Sequence, residues 1–253
     1  MFILRCFQSM SIVPFICFFA YISTTTSLRG PAPLHHTLLA GRTRTGVTLQ
    51  TLHKKHFDHG IILKQRGFDI PSPESCTVRE LLDLVSVMGA RLLVDGIRSG
   101  VFIDPVPSPL QESDKTSNNN MIIYAPKISS EDRHIDWTSW SWPEINRRKR
   151  LLGPLWSTCL DKRVILTSLA KVVNDDDENA HHHHHYIGHP FVLDDGKVYV
   201  FARDGSLIWI QRMKVEGERD ADAFVAALKA RMISCQRTRP GTLNCTPFCK
   251  PFA

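Results

Sequence analysis

Four groups of residues have the types and spacings that chemistry needs. His53, His56 and His59 recur at every third position of His53-Lys-Lys-His-Phe-Asp-His-Gly60. Imidazoles ligate metals, but on a turn between strands this spacing does not bring three rings to one face. No acidic or cysteine ligand is suitably placed to complete a site, so no metal is expected. Asp58, followed by His59 and Gly60, has two readings. Asp-x-Gly is ordinary turn chemistry, with the carboxylate accepting a nearby backbone N–H. A lone carboxylate at a strand end also suits a general base or proton shuttle. The pattern leaves both open. The third group is Arg147-Arg148-Lys149-Arg150, either a solvated helix face or a set of phosphate contacts giving salt-dependent, sequence-independent affinity. The fourth is the run His181–His185 beside Asn174-Asp-Asp-Asp-Glu-Asn179, which reads as a solvated insertion that binds divalent ions loosely at most. Cys245 and Cys249 lack the paired spacing of a zinc site.

These residues sit in a chain of 253, enough for one large domain or two modest ones. Hydrophobic residues make up 43% and charged residues 22%, which excludes wholesale disorder. The absence of repeated glycine, sustained heptads or a series of long apolar runs excludes collagen, coiled coil and a multi-span membrane protein. A net charge of +6 permits a polyanion partner without demanding one. The seven cysteines are spread too thinly for a stapled secreted scaffold and read as reduced thiols.

The elements that must position the groups are partly legible. Thr45–Leu52 and Ile61–Arg66 read as strands flanking the histidine-bearing turn. Thr77 and Glu80 form a capping box, and Val78, Leu81, Leu82, Val85, Met88 and Leu92 follow at helical spacing. Gly96 or Gly100 is expected to end that helix, since Asp104-Pro-Val-Pro-Ser-Pro109 forbids its continuation. Residues 104–120 read as a linker rich in proline, serine and asparagine. Phe191–Leu193, Lys197–Ala202 and Ser206–Val215 read as short strands turned by Asp194-Asp-Gly196 and Asp204-Gly205. A short helix is expected over Asp220–Met232, and a disordered tail from Ser234. At the other end, Met1–Ser23 holds one charge, Arg5, and an apolar segment Ile12–Ile22. That segment suits the core of a signal peptide and is short for a membrane span. It lacks a small-x-small cleavage site and the amphipathic, arginine-rich character of a mitochondrial presequence. A secretory or membrane-tethered role through residues 1–23 and a mis-assigned start both remain as readings.

Taken together, several segments resemble methionyl-tRNA formyltransferase. Arg29-Gly-Pro-Ala-Pro33 looks like the family's Arg-Gly-x-x-Pro stretch, and Thr45-Gly-Val-Thr48 and Asp58-x-Gly60 follow in the family's order. Tyr124-Ala-Pro-Lys-Ile128 and Ile135-Asp-Trp137 resemble the segment that joins the family's two domains. Lys214-Val-Glu-Gly217, with Phe224 after it, is similar to the end of the family's C-terminal barrel.

The resemblance implies an α/β, partial formyltransferase-type domain followed by a small OB-like β-barrel. The expected layout is an apolar N-terminus over 1–27 and the latter half of a catalytic domain over 28–103. A linker over 104–141 would lead to the OB-like domain over 142–233, interrupted at 174–185, and a disordered tail over 234–253. The implied reaction moves a formyl group from 10-formyltetrahydrofolate, the donor substrate, to the amino group of initiator Met-tRNA, with no metal. Asp58 matches the family's catalytic Asp, with His59 and Gly60 in the same folate-side loop, and Arg147, Arg148, Lys149 and Arg150 are the expected tRNA contacts. The family's Asn-x-His pair has no counterpart here: about ten residues before Arg29 the chain reads Phe18-Phe-Ala-Tyr-Ile-Ser-Thr-Thr-Thr-Ser27. His35 and His36 follow the Arg-Gly and do not match the pair by position. The expectation is therefore an inactive chain as written, or alternatively a non-catalytic tRNA-binding module. The resemblance further implies a mitochondrial monomer with no stable protein partner.

Overall fold

The computed structural model describes residues 19–21, 28–51, 62–101, 123–172, 187–193, 196–233, 235–239, 242–245 and 251–252. The chain divides into two units, Met1–Ile128 and Ser129–Ala253.

In the first unit, β-branched residues on an alternating stretch form strand β3, Arg44–Gln50. It is flanked by β1, Phe19–Tyr21, and β4, Ile62–Asp69, in an antiparallel sheet ordered β1-β3-β4. Part of the apolar N-terminal segment is thus an edge strand, with Phe19 opposite Gln50 and Tyr21 opposite Thr48. Pairing with β3 uses backbone groups, so a strand three residues long leaves no period for a sequence reading to find. Two further short strands, β2 (Leu28–Arg29) and β5 (Ile123–Tyr124), pair in parallel.

Helix α1 spans Pro33–Leu39, with proline in its first turn, where the missing N–H costs nothing. Helix α2 spans Val78–Arg98 and starts as its capping box dictates. Thr77 Oγ1 accepts the Glu80 N–H at 3.2 Å, and Glu80 accepts the Thr77 N–H at 2.8 Å. Its buried stripe is Leu81, Val85, Gly89, Leu92 and Gly96, the spacing of one helical face. Gly96 does not end the helix. It lies inside because Cδ2 of Leu49, on β3, sits 2.6 Å from where its Cβ would be. Gly100, at φ +62°, follows the end in the left-handed region that glycine favours.

Gly30 is the tightest point of this unit. Its φ is +132°, and a Cβ there would overlap the Ala125 carbonyl oxygen and lie 2.9 Å from the carbonyl carbon. Gly30→Ala is expected to destabilise the first unit by about 2–4 kcal/mol, combining backbone strain with overpacking. An unchanged denaturant midpoint for that unit would contradict this.

The second unit is built on a larger antiparallel sheet. Its strands are β6 (Leu155–Cys159), β7 (Lys162–Lys171), β8 (Phe191–Val192), β9 (Val198–Phe201) and β10 (Leu207–Val215). They lie in the order β6-β7-β10-β9-β8. A two-residue strand, β11 (Ala221–Asp222), pairs with β10. Leu160 and Asp161, both at positive φ, make the tight β6–β7 turn that matches right-handed strand twist. Among the described residues no pairing joins β6 to β8, so the path runs open and does not close a barrel.

Helix α3 spans Trp142–Leu152 and ends at Gly153, φ +84°. Helix α4, Ala223–Lys229, is shorter than the expected 220–232. Ala221 and Asp222 are drawn into pairing with β10, and Asp222 caps the helix by accepting the Phe224 N–H at 3.0 Å.

Two domain expectations change. Residues 129–141 are not linker, because Ile135 and Trp137 are buried at 1% and 3% in the core with Ile145, Val164, Ile208 and Met213. The tail beyond 234 also carries order. Strands β12 (Cys235–Arg239) and β13 (Thr242–Cys245) pair antiparallel, and Phe252 is buried against Trp137 with ring centroids 5.8 Å apart. Burial of one aromatic ring offsets the ordering of several polar residues, which composition alone does not reveal.

The Trp137 indole N–H donates to Ser157 Oγ at 3.1 Å inside this core. Ser157→Ala leaves that donor buried without its hydroxyl and should cost about 1–3 kcal/mol, read from the unfolding midpoint of the second unit.

Candidate functional site

The first unit brings together two motifs that lie far apart in sequence. Leu28 pairs with Ile123 and Arg29 with Tyr124, so the Arg-Gly stretch and Tyr124-Ala-Pro126 run side by side. Behind them, Ala32 N donates to Ala125 O at 3.3 Å, and His36 Nε2 donates to Pro126 O at 3.0 Å. His35 is half-buried; burial first, and then the neighbouring His36, push its imidazole below the ordinary value. A histidine in that state is neutral near pH 7. Asp58, His59 and Gly60, with His53 and His56, fall outside the described residues, as does the run His181–His185. Cys249 falls outside them too, and Cys245 ends β13. Among the described residues no group of three His, Cys, Asp or Glu is placed to hold a metal ion.

The basic run lies on α3, and all four of its residues are half-buried. Glu144 accepts from Arg147 Nη1 at 3.2 Å and from Arg148 Nε at 2.7 Å, with its side chain 24% exposed. The Arg148 guanidinium also lies over the Trp140 ring, 4.1 Å from its centroid, and donates to Asp132 O at 3.2 Å. Lys149 Nζ donates to Leu169 O at 2.9 Å, and burial lowers its pKa from the ordinary value. The run is therefore not a simple solvated face: Arg148 and Lys149 brace the helix while their remaining donors stay polar.

Aromatic and cationic side chains interleave again along the sheet. Arg163 lies over Trp156 at 4.1 Å and donates to Ser130 Oγ at 2.8 Å, while Trp156 donates to Ser130 O at 2.9 Å. Lys197 lies 4.9 Å over Trp209. Nothing in the run of sequence flags these pairs, because each joins residues from different turns of the sheet.

The family comparison agrees with this division of the chain. Residues 127–227 match the family described as formyl transferase, C-terminal domain. The mitochondrial methionyl-tRNA formyltransferase of Saccharomyces cerevisiae is 30% identical over 239 residues, covering 80% of this chain and 56% of the relative. Over these residues the chain is similar to methionyl-tRNA formyltransferases. The mitochondrial enzyme of Bos taurus is 33% identical over 149 residues, 58% of this chain and 36% of the relative. The chain thus spans between about a third and a little over half the length of these relatives. Among solved structures, methionyl-tRNA formyltransferase from Clostridium thermocellum aligns at 14% identity with TM-score 0.44, covering 67% of this chain and 71% of that one. HypX from Aquifex aeolicus in complex with tetrahydrofolic acid aligns at 19% identity with TM-score 0.47, covering 81% and 33%.

Two exposed carboxylates in the second unit carry a pH signature. The Thr167 hydroxyl first, then Arg212, hold the Asp220 carboxyl below the usual range. Hydrogen bonds from Thr138 and Ser139 do the same for Asp136. A depressed folded-state pKa contributes stability that is present above the unfolded value, about 3.9, and is lost as pH falls through the lower folded value. Thr167→Val should therefore shrink the acid-induced fall in the second unit's unfolding midpoint. An identical fall in both proteins would remove Asp220 from the explanation.

Proposed function

We propose that this chain carries a stretch of a methionyl-tRNA formyltransferase whose reaction moves a formyl group from 10-formyltetrahydrofolate to the amino group of initiator Met-tRNA. The observation that carries the reading is the homology over 239 residues to the Saccharomyces cerevisiae mitochondrial relative. The pairing of the Arg29-Gly30 stretch with Tyr124-Ala-Pro126 supports it, since each motif resembles the family independently of the other.

In that reaction the neutral α-amine attacks the formyl carbon, the tetrahedral adduct loses a proton from the attacking nitrogen, and the folate nitrogen leaves with a proton. Donors must meet the charge developing on the formyl oxygen. Asp58 is the residue assigned to orient a basic partner and relay the proton, with His59 and Gly60 in the donor-side loop. The residues preceding Arg29 supply neither the Asn nor the His that the family uses. We read the chain by itself as not competent for transfer, and the second unit as an OB-like tRNA-binding domain. The five-strand antiparallel order of its sheet favours that architecture. On α3, Glu144 and Trp140 hold Arg147 and Arg148 in fixed orientation, a preorganisation suited to phosphate oxygens. Arg147, Arg148, Lys149 and Arg150 are the assigned tRNA contacts. The mitochondrial relatives support a mitochondrial location, and we read the protein as a monomer. No described helix is long and apolar enough to cross a membrane.

The alternative, a binding module without catalysis, is favoured by residues 129–253 forming a compact unit that contains nearly all of the matched family domain, residues 127–227. A single experiment addresses both readings. The purified chain, given 10-formyltetrahydrofolate and Met-tRNA, is expected to show salt-dependent tRNA binding and no formyl-methionyl product. Product formation would overturn the inactive reading. Absence of tRNA binding at low salt would overturn both.

A further inference from the structure

The first unit holds a basic groove that the formyltransferase reading does not use. It has a volume of about 340 Å³ and is lined by Arg66 from β4 and by Ala90, Arg91, Val94, Asp95 and Arg98 from α2. Sheet register explains why Arg66 faces the helix. Gly96 of α2 packs against Leu49, so Leu49 and Val47 point to the α2 side, and Lys64 and Arg66 are their respective cross-strand partners. Directly paired residues of an antiparallel sheet project from the same face. On the helix, positions 91, 94, 95 and 98 fall on one exposed side.

Among the described residues, the charge of the groove is not balanced by its own lining. Three guanidinium groups against one carboxylate leave +2. Elsewhere in this unit Arg44 and Arg79 each reach a carboxylate, at 2.8 and 3.4 Å. The guanidinium groups of Arg66, Arg91 and Arg98 form no ion pair or hydrogen bond among the described residues, even though Asp95 lies at helical spacing from both Arg91 and Arg98. Guanidinium forks match phosphate oxygens in bidentate geometry. All the lining residues are exposed, and the donors come from side chains alone. An open trough of that kind suits a backbone running past it rather than an enclosed phosphate monoester, which is held by converging backbone N–H groups.

We propose that the Arg66–Arg91–Arg98 groove is a contact for the phosphodiester backbone of RNA, additional to the contacts assigned to the second unit. It rests on the tRNA-binding reading for the identity of the polyanion, not for the site itself.

The test uses the full chain and an in vitro-transcribed tRNA, with affinity measured from about 50 to 200 mM salt. Replacing Arg66, Arg91 and Arg98 with alanine is expected to lower the magnitude of the log K against log salt slope by about two to three, roughly one for each arginine that neutralises a phosphate. Asp95→Asn, which removes the one carboxylate among the described residues that line the groove, is expected to tighten binding without altering the fold, and keeps the proposal testable if the triple variant unfolds. An unchanged slope in a folded triple variant, or no gain from Asp95→Asn, overturns the groove while leaving the tRNA reading intact. No binding by the unsubstituted chain overturns both. Competition by millimolar inorganic phosphate at constant ionic strength, abolished in the triple variant, would assign the groove to a small anion and overturn the RNA contact.

Discussion

The first unit depends on one backbone approach, that of Gly30 to the carbonyl of Ala125. Residues 28–30 and 123–126 are brought together there, and the parallel pair β2–β5, the Ala32 N–H and the His36 ring all fasten to the same few atoms. No side chain beyond hydrogen fits at Gly30, and the parallel pairing of β2 with β5 requires that closeness. Around this junction α2 lays its apolar stripe against β3, where Gly96 admits Leu49. The unit is held by two places where the chain has given up a Cβ so that another segment can come near.

The second unit is organised differently. Its core gathers the inner sheet residues around Trp137, which donates a hydrogen bond to Ser157 and stacks on Phe252. Outside that core, arginines lie over tryptophans: Arg148 over Trp140 and Arg163 over Trp156. Such stacking removes rotamer freedom from long cations in advance, so less is lost when an anion arrives. The basic run of α3 thus braces the fold through Glu144, Trp140 and Leu169, and the tRNA contact proposed for it would be a second role, one that composition treats as an alternative to the first.

How much of this is legible in the sequence follows from distance along the chain. Helix α2 is legible because Thr77 and Glu80 cap each other within one turn and the apolar stripe is local. Strands β3, β4, β9 and β10 are legible as short β-branched and apolar runs bounded by turn residues. The β6–β7 hairpin is not, because its turn is Leu160-Asp161, which carries no glycine or asparagine to announce two positive φ angles. Residues 129–141 read as linker because Ile135 and Trp137 have no periodic neighbours, and only the sheet beneath them makes them core. The motifs of the Arg29-Gly30 stretch and Tyr124-Ala-Pro126 are each visible, but their contact is not. The arginines of the α2 groove are invisible for the same reason, since one comes from a strand and two from a helix.

The parallel pair that joins Leu28 to Ile123 also bears on how this unit tolerates change. It closes a loop of 95 residues, the difference between those two positions. Closure entropy grows only with the logarithm of loop length, so doubling such a connection costs about 0.6 kcal/mol. The length of chain between the two paired strands therefore enters the closure cost only weakly, whereas a single added carbon at Gly30 meets the Ala125 carbonyl directly.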